Sequence, residues 1–225
     1  MGKKDGGDRI ASQVEVRRVS GIVLAGGKSL RLRRVKALER IYGRSLIERT
    51  IDCLSLLCQE ILVVTSREQF SVITAAGLGG RVVVDCCPGM GALGGIYTGL
   101  AVTDSFHSLV VACDMPFLSR KLLHYLIDLA PDYDVVVPKI KGMYEPLHAV
   151  YSKKCLSAIG ELLEKGELAI SRLFSLVKVK YVGIDEVCKL DPELLSFFNV
   201  NTLEDLRKAE ALFKTDARYS MIKEG

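Results

Sequence analysis

The stretch VSGIVLAGGKSLR, residues 19–31, reads as a β-strand that runs straight into a glycine loop. Val19 to Ala25 is short and apolar, as suits a strand covered on both faces. Gly26 and Gly27 then free the backbone to turn its N–H groups toward a ligand, an arrangement suited to phosphate oxygens. Arg31 and Lys36 follow in the same loop, one a planar fork for phosphate and the other a compact charge. Together they could neutralise a triphosphate and steady a departing pyrophosphate. Gly27-Lys28-Ser29 imitates the end of a P-loop, but that pattern requires glycine where Ile22 stands, and Gly21 is one residue out of register.

The rest of the chain repeats the alternation begun there. Strands are predicted at Ile61–Thr65, Arg81–Val84, Ser108–Cys113 and Val135–Pro138, with another near Val177–Val182. Between them lie helix signals. Ser45-x-x-Glu48 reads as a capping box opening a helix over Leu46–Cys58, and Ser66-x-x-Gln69 reads as another. A helix is expected over Ser119–Ala130. Asp191-Pro192 reads as an N-cap with proline at the first helical position, and Thr202 as the cap of a last helix, Leu203–Phe213. Lys139–Tyr151 is less regular and fits a hairpin or a sheet edge. The pattern predicts an α/β fold: one doubly wound, mostly parallel, Rossmann-like sheet with helices on both faces. It is read as a single domain, 19–215, between a polar tail at 1–18 and a short tail at 216–225.

Composition narrows the function. The 225 residues are 49% hydrophobic and carry a formal net charge of +4. The first eighteen residues account for a net +2 of that, so the body offers no electrostatic footprint for nucleic acid. No apolar run is long enough to span a bilayer, and the N-terminal tail lacks the apolar centre of a secretory signal. A myristoylation pattern fails at Gly6, where Ser or Thr is wanted. Seven scattered cysteines form no C-x-x-C pair, which points to a reducing, cytoplasmic setting.

Two further strand ends carry chemistry. Asp85 is followed by Pro88-Gly89-Met90-Gly91-Ala92-Leu93-Gly94-Gly95. Gly89-x-Gly91-x-x-Gly94 is a literal dinucleotide fingerprint, and Asp114 falls where a ribose-binding acid would sit. An NAD(P) oxidoreductase is therefore a rival reading. It is weighed lower because the fingerprint belongs on the first βα turn, which residues 24–31 already occupy. The third strand ends in Cys113-Asp114-Met115-Pro116. An acid there is well placed to hold Mg²⁺ against phosphate oxygens, since Mg²⁺ takes one or two protein carboxylates and keeps water and phosphate elsewhere. On spacing alone, Asp114 could equally cap a turn.

Four segments, in order, resemble the molybdenum cofactor guanylyltransferases of the MobA type, within the nucleotidyltransferase fold group. They are LAGGKSLR with Lys36, the stretch from Asp85 to Leu100, CDMPF at 113–117, and FNVNTLEDL at 198–206. The resemblance implies that Leu24, Ala25, Gly26 and Gly27 contact the guanine base and phosphates of GTP. It implies Lys36 on the triphosphate, Asp85 on the nucleotide, and Asp114 holding Mg²⁺ and nucleotide together. Glu145-Pro146-Leu147 and Asn199-Val200-Asn201 would lie near the pterin. The implied reaction is transfer of GMP from GTP to the phosphate of molybdopterin, with Lys36, Arg31 and Asp114 as catalytic residues. A phosphate nucleophile is already ionised, so no general base is needed, and none of His107, His124 and His148 has an evident acid partner in the sequence. The implied protein partners are a cofactor insertase and apo-molybdoenzymes. Departures from the family pattern fall at Arg33, Val35 and Ala92. Within the enzyme class, a cytidylyl relative and a guanylyltransferase with another acceptor stay open. Gly26 favours guanine, because the cytidylyl relatives carry alanine there. A nucleotide-binding regulator without catalysis would not need Lys36 and Asp114 both intact.

Overall fold

A computed structural model of the chain describes residues 19–26 and 35–215. Gly27 and Arg31, with the rest of residues 27–34 and both tails, lie outside the described residues.

The sheet forms where the sequence is most apolar. Its strands are β1 (Val19–Leu24), β4 (Glu60–Thr65), β5 (Arg81–Val84), β6 (His107–Ala112), β7 (Val135–Ile140), β8 (Met143–Tyr144), β9 (His148–Ser152) and β10 (Val179–Gly183). A separate two-stranded hairpin pairs β2 (Arg40–Ile41) with β3 (Arg44–Ser45). The main order is β10-β7-β9-β6-β1-β4-β5, with β8 paired to β7. From β5 through β6 all neighbours are parallel. β9 then inserts antiparallel between β6 and β7, so the sheet is mixed rather than uniform. Of the two alternatives expected for Lys139–Tyr151, the hairpin forms, between β7 and β8, and the sheet edge does not. The tight hairpin at Lys141–Gly142 returns the chain through β8, and β9, with every residue buried, fills an interior position.

The helices are α1 (Leu46–Ser55), α2 (Arg67–Ala75), α3 (Gly91–Val102), α4 (Arg120–Leu129), α5 (Cys155–Glu164), α6 (Ile184–Cys188) and α7 (Leu203–Thr215). Period-two alternation on the strands supplies two cores. Val19, Val23 and Val111 join α1, α2, α4 and α6 on one face, while Ile22, Leu24 and Val110 join α3 and α5 on the other. A third, smaller cluster of Ile41, Leu46, Phe117, Val200, Ala209 and Phe213 fixes α7 against the β2–β3 hairpin. Phe117 stacks on Phe213 with ring centroids 4.6 Å apart.

Local signals fared unevenly. The Ser45–Glu48 capping box forms in full, and Thr202 caps α7, accepting from the Asp205 amide at 3.1 Å. Ser66 sits at the N-cap of α2 but its side chain makes no capping bond. The helix expected after Asp191-Pro192 is absent. Asp191 Oδ2 instead accepts from the Ser196 amide at 2.8 Å, and Leu194 takes a left-handed conformation that breaks any helix before a single 3₁₀ turn at Leu195–Phe197.

Candidate functional site

Chain order places the site. From β1 the chain steps to β4 and β5 on one side, then crosses to β6 on the other. The crevice beyond the carboxyl ends of β1 and β6 is therefore the topological switch point, where open α/β sheets bind ligands. Leu24, Ala25 and Gly26 end β1 there; Cys113 and Asp114 end β6. The two ends are tied by a bond from the Cys113 amide to the Leu24 carbonyl at 3.2 Å, and the Ala25 amide donates to Val64 O at 2.8 Å. Leu24 and Ala25 are buried, whereas Gly26 is exposed at the rim.

Lys36 and Asp114 meet at this rim. Lys36 Nζ donates to Asp114 Oδ2 at 2.5 Å and to Asn201 Oδ1 at 2.8 Å. The paired side chains are only 21% and 19% exposed. Asp114 Oδ1 is buried and has no hydrogen-bond partner among the described residues. An unpartnered buried carboxylate oxygen is costly unless something binds it. No group of three or more His, Cys, Asp or Glu side chains converges among the described residues. One carboxylate beside a phosphate site is nevertheless the donor set that Mg²⁺ accepts, since the remaining ligands come from phosphate and water.

Asn201 arrives from the far end of the chain, and sequence reasoning gave it no link to Lys36. Its segment is clamped beneath Asp114: the Val200 amide donates to the Asp114 carbonyl at 2.9 Å, and the Ser119 amide donates to Ser196 Oγ at 2.9 Å. The Asn201 amide is held in turn by Asp205 Oδ2 at 3.0 Å. The FNVNT stretch singled out Asn199 and Asn201 as residues near the pterin, and nothing in its letters points to Lys36.

Asp85 ends β5, three strands from β6, or roughly 14 Å across the strand ends at normal strand spacing. One of its oxygens is committed to the loop. Asp85 Oδ1 accepts from the Cys87 amide at 2.9 Å and from Thr98 Oγ1 at 2.8 Å. Thr98 also accepts from the Cys86 amide at 3.1 Å. Asp85 and Thr98 thus shape the glycine loop that leads into α3. That loop leaves an edge strand, not the switch point, so its resemblance to a dinucleotide fingerprint is one of spelling.

Glu145-Pro146-Leu147 also reaches the rim. Leu147 O accepts from the Ala112 amide at 3.1 Å, two residues before Asp114. Tyr151, fully buried, donates its hydroxyl to Pro146 O at 2.8 Å and so anchors this turn from beneath. Burial raises the Glu145 carboxyl above the usual carboxylate range. His148 is buried completely beside Phe197, ring centroids 5.0 Å apart, and neither ring nitrogen has a partner among the described residues. Burial holds its pKa down at about 3, so its imidazole is neutral. His124 does have an acid partner, Asp128, at 3.0 Å one turn along α4, on the exposed surface. Cys113 is buried beside Asp114 and its thiol is pushed up to about 12, which makes it packing rather than nucleophile. All seven cysteines are free. No helix among the described residues is long and apolar enough to cross a membrane.

The profile described as a MobA-like NTP transferase domain matches residues 21–179. A molybdenum cofactor guanylyltransferase from Desulfosudis oleivorans is 35% identical over 198 residues, covering 87% of this chain and 96% of the relative. A probable molybdenum cofactor guanylyltransferase from Pelotomaculum thermopropionicum is 37% identical, with 86% and 92% covered. Among solved structures, molybdopterin-guanine dinucleotide biosynthesis protein A from Archaeoglobus fulgidus superposes with a TM-score of 0.77 at 26% identity, covering 88% of this chain and all of that one. The 2-C-methyl-D-erythritol 4-phosphate cytidylyltransferase from Thermus thermophilus shares the fold, with a TM-score of 0.65 at 19% identity, covering 86% and 98%. These similarities, over most of the chain, show what it is: a nucleotidyltransferase that belongs to the MobA-like family of molybdenum cofactor guanylyltransferases.

Proposed function

We propose that this protein transfers GMP from GTP to the terminal phosphate of molybdopterin, releasing pyrophosphate, and that it needs Mg²⁺. The observation that carries the reading is the Lys36–Asp114 pair at the switch point, with Asp114 Oδ1 buried and without a partner among the described residues. Its sequence support is the family's order of motifs, and the guanylyltransferase from Desulfosudis, with the probable one from Pelotomaculum, gives it a named precedent.

The nucleotide lies across the ends of β1, β4 and β5, with its base near Ala25 and Gly26. The backbone of residues 24–26 approaches base and phosphates, a role the motif also gives Gly27, and Asp85 borders the nucleotide from the β5 side. Lys36, with Arg31, neutralises charge on the triphosphate and steadies it as the α-phosphorus is attacked in line. Asp114 is the residue that holds Mg²⁺, which supplies charge neutralisation at the phosphates when bound. The acceptor phosphate is ionised at neutral pH, so the site works by positioning rather than by proton abstraction. Glu145 and Leu147 on one side and Asn199 and Asn201 on the other border the acceptor end. The reaction belongs in the cytoplasm, where the product would pass to a cofactor insertase and to apo-molybdoenzymes.

The test is calorimetry with GTP, CTP, ATP and NADH, each with and without Mg²⁺, followed by assay of GMP transfer to molybdopterin. Selective GTP binding that Mg²⁺ strengthens, with formation of the guanine dinucleotide, is expected. Preference for CTP would move the protein to the cytidylyl branch, and binding of NADH alone would overturn the proposal.

A further inference from the structure

We propose that Lys36 is the counter-charge of Asp114 while the site holds no ligand, and that Asn201 is the positioning residue that retains Lys36 when a divalent cation takes Asp114. The inference rests on the reading of Asp114 as the cation-holding residue given above.

Three observations carry it. The ammonium of Lys36 is bound to Asp114 Oδ2 at 2.5 Å, while Oδ1 of the same carboxylate is buried and has no partner among the described residues. A cation bound at Oδ1 would therefore lie within a few ångströms of the ammonium, and like charges at that range repel strongly in a half-buried site. A bare cation is disfavoured for this reason. A cation that arrives with a triphosphate brings the negative charge that gives Lys36 a new partner. The second acceptor of Lys36 is Asn201 Oδ1 at 2.8 Å, a neutral oxygen that adds no charge to compete for the metal. Asn201 is itself fixed, its amide on Asp205 and its neighbour Val200 on the Asp114 carbonyl. It can hold Lys36 at the rim while Asp114 changes partner. Cation and nucleotide then bind as one unit.

The experiment measures Mn²⁺ binding by electron paramagnetic resonance, without nucleotide, to the full chain and to Lys36→Met, Asn201→Ala and the double variant. Lys36→Met should bind Mn²⁺ at least about tenfold tighter than the parent. Removing a nearby positive charge favours a cation under any arrangement, so the Asn201 arm discriminates. Asn201→Ala should weaken Mn²⁺ binding by roughly threefold or more when Lys36 is present, and leave it unchanged when residue 36 is Met. No tightening in Lys36→Met, or an equal effect of Asn201→Ala in both backgrounds, overturns the proposal. Circular dichroism melts establish that each variant folds, with Lys36→Gln and Asn201→Ser replacing any that does not. Calorimetry of the parent with GTP and Mg²⁺ runs alongside. Failure there strikes the guanylyl-transfer reading, whereas the Mn²⁺ cycle strikes only the roles of Lys36 and Asn201.

Discussion

Lys36 and Asp114, separated by 78 residues in the chain, share a 2.5 Å ion pair at the switch point of the sheet. Replacing Asp114 by Asn keeps the shape and removes the charge. Turnover at saturating Mg²⁺ should fall by about 10²–10³, the range seen when one preorganised electrostatic contact is lost. The backbone bonds around Asp114 persist, so the thermal midpoint should move by only a few degrees. Parallel steady-state kinetics and melts check this, and turnover equal to the parent's would remove Asp114 from the reaction.

His148 makes stability depend on pH. Its folded pKa is held near 3 by burial, while the unfolded chain titrates near 6.5. Below about pH 6.5 the unfolded state takes up a proton that the folded state refuses, so stability falls with pH until about pH 3. Between pH 7 and pH 5 the loss is about 2 kcal/mol. Urea midpoints at the two pH values measure it. His148→Phe, which keeps an aromatic ring beside Phe197, should flatten that part of the profile.

Two glycines of α3 separate packing from site geometry. A Cβ on Gly99 would meet Ile22 Cγ2 at 2.6 Å, so Gly99→Ala should cost about 1–3 kcal/mol by pushing α3 off β1. A Cβ on Gly94 would meet the Cys87 carbonyl at 2.9 Å, in the loop that Asp85 and Thr98 hold. Gly94→Ala should therefore raise KM for GTP more than it lowers kcat, whereas Gly99→Ala should act chiefly on stability. Kinetics and urea unfolding of both variants distinguish the two.

Gly26 is the cleanest probe of base choice. A Cβ there would lie 3.5 Å from the Ser66 amide nitrogen, ordinary contact with no clash. Gly26→Ala should fold normally and shift nucleotide preference from GTP toward CTP by about tenfold, a change of about 1.4 kcal/mol. Competitive calorimetry reads the ratio. An unchanged GTP preference would show that the base is read elsewhere.

The parallel half of the sheet was legible because its signals are local. Strands β1, β4, β5 and β6 are compact apolar runs, and Ser45 finds Glu48 within one helical turn. Asp85 and Asp114 stood out because each follows such a run. What the chain does over distance was not legible. His148–Val150 alternates like a strand, but nothing in His148–Ser152 says that β6 and β7 will flank it. Asp191-Pro192 had the letters of a helix start, but the carboxylate was taken by Ser196 and Leu194 turned left-handed. Ser66 had a plausible partner in Gln69, yet no side-chain cap formed. Most tellingly, Asn201 meets Lys36 across 165 residues, a contact that no local pattern announces.

That long reach has a consequence for how the protein is made. A ribosome delivers β1 and Lys36 early and Val200 and Asn201 nearly last. A nascent or truncated chain ending before Val200 would hold every strand of the sheet, yet leave Asp114 without its backbone anchor and Lys36 without its second acceptor. The Lys36–Asp114–Asn201 arrangement is thus completed only once the chain has been translated through its NVNT stretch, and the same last segment, with α7, covers Phe117 and Leu46.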